Sequence, residues 1–143
     1  MSDINPRGVE VTFGTETRHF LFDYAVIAEI QDAYDSDVVS VFKQMFLDPH
    51  SEGEYKARVL IDIVHKLLLD EVDREKYLHG RDDLKTYTKR QVGWLLNRGN
   101  ADDIVKAIID AWQESLPKTD EGDDDPNVTR GTGTEDSTSP EQS

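Results

Sequence analysis

The residues able to carry chemistry are few and scattered along this chain. Four histidines, His19, His50, His65 and His79, never fall four apart, the spacing that lets two imidazoles on one helix face share a zinc ion. Cysteine is absent, which removes disulfides, thiolate nucleophiles and cysteine–metal sites. Asp82-Asp83 and Asp123-Asp124-Asp125 are contiguous acids. A calcium loop needs acids at alternating positions and a glycine at its turn, so both runs read as solvated charge. His65 follows Asp62 by three residues, a spacing that allows a carboxylate–imidazole pair, and such pairs are common on helix surfaces without function. His79-Gly80-Arg81-Asp82 faintly echoes a kinase catalytic loop, but no glycine-rich phosphate loop accompanies it. Walker and nucleophile-elbow motifs are missing. Asn127-Val128-Thr129 fits a glycosylation sequon, in a chain with no visible secretion signal. No catalytic residue, cofactor site or metal site is expected, and carboxylates brought together only by folding are the exception left open. Function is expected to rest on binding.

A length of 143 residues suits one globular domain. The hydrophobic share, 36%, is low for such a domain, and the shortfall is concentrated in residues 117–143, where Val128 is the one large aliphatic side chain. The formal charge is −14. The final segment, with bases Lys118 and Arg130 against eight acids, carries −6 of it and leaves −8 on the body. A negative body repels phosphates and anionic lipid, because binding either requires Lys and Arg to replace counterions. Neither nucleic acid nor membrane is an expected partner. Without a basic or apolar leader and without a bilayer-length apolar run, the protein is expected in the cytoplasm.

These residues need a scaffold, and hydrophobic period supplies one. Val9-Glu10-Val11-Thr12-Phe13 alternates like a half-buried strand, Gly14-Thr15-Glu16-Thr17 reads as a turn, and Arg18-His19-Phe20-Leu21-Phe22 as the returning strand. A lone hairpin is marginal in water, so it must lean on helices. Asp23 fits an N-cap, followed by helical spacing of Val26, Ile27, Ile30, Ala33 and Tyr34. After Asp35-Ser36-Asp37 a second short helix carries Val38, Val41, Phe42, Met45 and Phe46, ending at Asp48-Pro49. Ser51-Glu52-Gly53-Glu54 reads as a capping box opening the longest helix, whose stripe of Tyr55, Val59, Leu60, Ile63, Val64, Leu67 and Leu68 runs to about Glu71. Residues 72–87 read as a charged connection anchored by Tyr77, Leu78 and Leu84 and broken at Gly80. Thr88-Lys89-Arg90-Gln91 is a second capping box, for a short helix with Val92, Leu95 and Leu96. Gly99 is expected to be left-handed at its end and Asn100 to cap a final helix with Ile104, Val105, Ile108, Ile109, Trp112 and Leu116. The fold class is mainly α with a small N-terminal β-hairpin (α+β): about five helices in one domain over residues 9–116, after a flexible stretch 1–8 and before a disordered acidic tail 117–143.

This order of elements resembles the tail assembly chaperones of long-tailed bacteriophages. In that family a strand ending in an L-x-F/Y-D-like phrase leads into a helix with an A-x-x-E-like core, and Phe20-Leu21-Phe22-Asp23 with Ala25-Val26-Ile27-Ala28-Glu29 matches it. A later threonine–x–glutamate–x–valine–glycine phrase is matched by Thr88-Lys89-Arg90-Gln91-Val92-Gly93, with Arg90 where an acid is usual. Two features depart from the family: no glycine follows the first helix, where Tyr34-Asp35-Ser36-Asp37 stands, and the 72–87 connection is long. The resemblance implies a chaperone that binds the tape measure protein, a long helical polypeptide, and keeps it soluble until tube subunits polymerise around it. It also implies work in the host cytoplasm, absence from the mature virion, and a longer frameshifted form whose extension reaches the tail tube protein.

A chaperone for an amphipathic helix must cover apolar surface, and a helix-lined groove can do so. The second helix, apolar nearly all round, makes Val38, Val39, Phe42, Met45 and Phe46 the candidate partner-binding residues, with Met45 able to adapt to varied side chains. Most such stripes fill a core, and that is the commoner reading of this one. Two other functions fit the composition. One is an acidic DNA-mimic or regulatory phage protein that occupies a nucleic-acid-binding enzyme, although the body's acids are interleaved with bases. The other is a self-associating structural protein.

Overall fold

A computed structural model of the chain describes residues 8–46 and 54–117. It is mainly helical, with a two-stranded antiparallel hairpin at the N-terminal side. Strand β1 (Val9–Phe13) pairs with β2 (Glu16–Phe20) from Val9–Phe20 to Phe13–Glu16. The turn is two residues long, shorter than the four expected, because Gly14 adopts φ +63°, the left-handed backbone that a tight hairpin loop demands. Thr17 therefore joins the ladder opposite Thr12, and Leu21-Phe22 leave it. Val11, Phe13, Arg18 and Phe20 share the buried face.

Helix α1 (Tyr24–Tyr34) starts where Asp23 accepts the Val26 amide at 2.9 Å. It stops at Asp35, which takes φ 49°. Asp37 caps α2 (Val38–Met45) through the Ser40 amide at 2.8 Å. Phe22 and Phe42 meet edge to face at 5.7 Å, and both meet Trp112 the same way, at 5.6 and 5.9 Å. This cluster joins the end of the hairpin, α2 and the last helix.

The central helix α3 (Ala57–His79) departs from its expected bounds at both ends. Tyr55 bridges Phe46, and the Lys56 amide donates to the Met45 carbonyl at 2.7 Å. The chain at 54–56 is thus extended along the end of α2, and the helix opens at Ala57 without a side-chain cap, not at a Ser51 capping box. At the other end α3 runs through to His79, absorbing half of the supposed connection. Its inward stripe continues past Leu68 with Glu71 and Glu75, while Tyr77, 88% exposed, and Leu78 point outward and anchor nothing. Gly80, at φ +67°, ends it, and so closes the long helix where it was expected to break a connection. Lys76 and His79 in the last turn suit the negative end of the helix dipole.

Helix α4 (Lys89–Leu95) opens with the complete Thr88/Gln91 capping box, bonds of 3.1 and 2.9 Å. Gly99 is not left-handed. Instead Asn97 accepts the Gly99 and Asn100 amides at 2.7 and 3.0 Å, and Asn100 donates to the Leu95 carbonyl at 2.8 Å. Asn100 therefore closes α4 and gives no side-chain cap to α5 (Ala101–Ser115). Side-chain amides do the work a left-handed glycine would otherwise do. Helix α3 packs against α1, α2, β2 and α4, and α5 lies along β1. One apolar core runs through all of them. No helix among the described residues is long and apolar enough to cross a membrane. The Asp48-Pro49 stop, the Ser51 cap, His50, the N-terminal stretch and the tail from Lys118 onward lie outside the described residues.

Candidate functional site

Three polar arrangements stand out, and their burial separates the structural ones from the accessible one. The first is built on Arg18, which is fully buried. Its Nε donates to Glu71 Oε1 at 2.7 Å, Nη1 to Glu16 at 2.8 Å and to the Lys85 carbonyl at 2.9 Å, and Nη2 to the Leu68 carbonyl at 2.9 Å. Glu71 also accepts the His19 amide and pairs with its Nδ1. The Tyr87 hydroxyl donates to Glu16, and the Tyr87 ring lies against both the guanidinium and Phe13. Charge removed from water is tolerated only when so fully paired. The network ties β2, α3 and the 80–88 segment together, and it presents nothing to a ligand.

The second lies where Asp70 and Asp23 share Arg74. Burial, then the hydrogen bond and charge of Asp23, push the Asp70 carboxyl up to about 8 against the pull of Arg74. Burial raises Asp23 too, but its bonds from Asp70 and the Val26 amide, with Arg74 nearby, hold it below its usual value. Near neutral pH the pair thus keeps one proton, on Asp70. The folded chain holds a proton that the unfolded chain releases, so stability falls as pH rises between about 4 and 8. Asp70→Asn keeps a donor for Asp23 and cannot ionise. It is expected to exceed the parent's stability at about pH 9 by on the order of 1–2 kcal/mol, allowing for solvent screening of this partly open pair. Urea midpoints at about pH 5 and pH 9 check this; an equal change in parent and variant would place the proton elsewhere.

The third is open to solvent. A cleft of about 990 Å³ lies between α3 and α4, with Tyr34 of α1 at its margin. Its bases are Arg58, Lys66, Lys89 and Arg90, and its single acid is Asp62. Asp62 accepts from Tyr34 and Lys66 at 2.8 Å and pairs with Lys89 at 3.0 Å. Burial pushes this carboxyl up, but the bonds from Lys66, Tyr34 and Lys89 outweigh it and bring it to about 2. His65 does not join: burial, then the charge of Lys89, hold its imidazole below the ordinary value, against a hydrogen bond with the Tyr87 backbone. Arg58 and Arg90 make no ion pair among the described residues.

A second, smaller hollow of about 230 Å³, with Tyr55, Leu60 and Leu96 in its wall, shares Ile61 and Gly93 with the cleft. The two form one groove along α3 and α4. A Cβ on Gly93 would stand 3.3 Å from Ile61 Cδ1, so glycine is what lets the two helices close on this apolar floor. Trp94, 68% exposed, stands beside it. Tyr55 at the far end carries Phe46 against its ring at 5.6 Å.

The expected partner-binding residues divide by this geometry. Val38, Phe42 and Met45 are buried in the core, whereas Val39 and Phe46 are 45% and 39% exposed. Val38, Val41, Phe42 and Met45 follow the helical period on one face, so one stripe of α2 serves the core and leaves its flanks outside. Trp94 and the bases around it were not singled out from the sequence as a site. Their signal in the sequence is a tryptophan directly after a helix glycine and four residues beyond Lys89-Arg90. Among the described residues no group of three acids or histidines is placed to hold a metal ion. No protein-family model, curated protein or solved structure matches the chain.

Proposed function

We propose that this protein is a phage tail assembly chaperone that binds a helical segment of the tape measure protein in the α3–α4 groove, in the host cytoplasm, and does no catalysis. The observation that carries the reading is the groove itself: an apolar floor of Ile61 and Gly93 between the half-buried ring of Tyr55 and the exposed ring of Trp94. An amphipathic helix without its assembly partners exposes an apolar stripe and aggregates, and laying that stripe in such a groove is a known way to cover it. Both phrases that resemble the chaperone family sit at structural junctions. Asp23 caps α1, and Thr88 with Gln91 starts the helix whose Gly93 makes the floor. Phe46, against Tyr55 at the end of the groove, and Val39, exposed on α2, extend the surface offered to the client.

The competing reading, a DNA mimic, needs rows of acids free to imitate phosphates. Here Glu16, Asp62, Glu71, Glu75 and Asp110 are all engaged in ion pairs with bases of the same chain, which favours the chaperone. Co-expression is the test. The tape measure protein is expected to move from the insoluble to the soluble fraction and to co-purify with this chain; unchanged insolubility with no co-purification would sink the proposal. A longer, frameshifted form that reaches the tail tube protein belongs to the same proposal, as does self-association before the client is met.

A further inference from the structure

The groove raises a question of charge. The chain has 30 acids and only 16 bases, yet four of those bases, Arg58, Lys66, Lys89 and Arg90, converge on one cleft whose single acid is already neutralised by Lys66 and Lys89. Arg58 and Arg90 make no ion pair among the described residues. The densest acidic stretch of the same chain is residues 120–125, where Asp120, Glu121, Asp123, Asp124 and Asp125 make five acids in six positions.

Reach permits the two to meet. Helix α5 begins beside the end of α4, where Asn100 is bonded to the Leu95 carbonyl. Its fifteen residues span about 22 Å, so its far end lies about that distance from the end of α4. The acids lie three to eight residues past Pro117, a reach of about 10 Å for Asp120 rising to about 28 Å for Asp125, so the later acids, Asp123 to Asp125, are the ones that make the contact. A tethered segment also has an effective concentration of the order of millimolar at its own body, which a free acidic partner rarely matches.

We propose that residues 120–125 dock on the Arg58, Arg90 and Lys89 rim of the groove beside Trp94, as a tethered acidic segment that competes with any other occupant. The contact is made of exposed ion pairs, each weak, so it is partly populated and sensitive to salt. It does not depend on which client the groove takes, and it fails or stands without one.

The absence of cysteine makes the test clean. A nitroxide attached to the full chain at Gly122→Cys is expected to attenuate the amide signals of Arg90, Gly93 and Trp94 about two-fold or more at low salt, and to lose that effect near 1 M salt, where screening is nearly complete. Neutralising the five acids to Asn and Gln, or reversing the rim with Arg58→Glu and Arg90→Glu, is expected to abolish it equally. Because both arginines are exposed and make no ion pair among the described residues, the reversed chain should fold like the parent, and its spectrum reports whether it does. Attenuation that survives neutralisation, or none at these amides, overturns the proposal. So does attenuation seen only when labelled chains are mixed with isotope-enriched unlabelled ones, which would mean a contact between two copies.

Discussion

Replacing Glu71 with alanine is expected to destabilise the domain by roughly 3–5 kcal/mol, the cost of stranding a buried charge. Arg18 would keep its bonds to Glu16 and two carbonyls, but its Nε and the His19 amide would lose their shared acceptor in a region closed to water. Against a total stability of about 5–15 kcal/mol, that loss brings the fold close to its limit. Removing both partners, as Arg18→Met with Glu71→Leu, is expected to cost less than Glu71→Ala alone, because no charge is then left unpaired. It will not be free: the Leu68 and Lys85 carbonyls and Glu16 also lose a donor. Urea unfolding of the three variants measures the order. If Glu71→Ala proves as mild as a surface change, the network is not the joint between hairpin and helix described above.

The second large effect concerns binding. Trp94→Asp removes an exposed aromatic from the groove without touching the core, so the fold should survive and client affinity should not. A tryptophan anchor at the centre of an interface is typically worth about 2–4 kcal/mol, which corresponds to about a 30- to 1,000-fold weaker complex. Phe46→Asp, at the end of the groove, and Val39→Asp, on the exposed flank of α2, are expected to weaken it less. Tyr77 is more exposed than Trp94 but lies outside the groove, and Tyr77→Ala should leave affinity unchanged. Calorimetric titration of each variant with a soluble tape-measure fragment separates these cases. An equal loss at Tyr77 would put the client on another face.

Which features were legible in the sequence follows from how local their physics is. The alternation of β1, the Asp23 cap and the Thr88/Gln91 box each depend on residues within a turn of one another, and each was readable. The Arg18–Glu71 pair joins residues 53 positions apart, and no local rule couples them. Its absence from the sequence reading had a second consequence. Beyond Glu71 the charge of Asp73, Arg74 and Glu75 reads as a solvated connection, whereas Glu71 and Glu75 prolong the Leu67–Leu68 stripe at helical spacing and face inward against their partners. Asking which face those acids occupy would have extended the helix to Gly80. On α2 the apolar composition suggests one face for the core and one for a partner, and the helical period sorts them, placing Val38, Val41, Phe42 and Met45 together in the core. The groove needed tertiary structure. Its bases come from two helices, and its floor exists only because Gly93 meets Ile61.

The α3–α4 groove is where the client is expected to lie. A benzophenone amino acid installed in place of Trp94, with a second chain carrying it in place of Tyr77, can be irradiated in cells that also make the tape measure protein. The groove predicts a covalent adduct with that protein from position 94 and none from position 77. An adduct from 77 alone, from a chain that still solubilises its client, would contradict it.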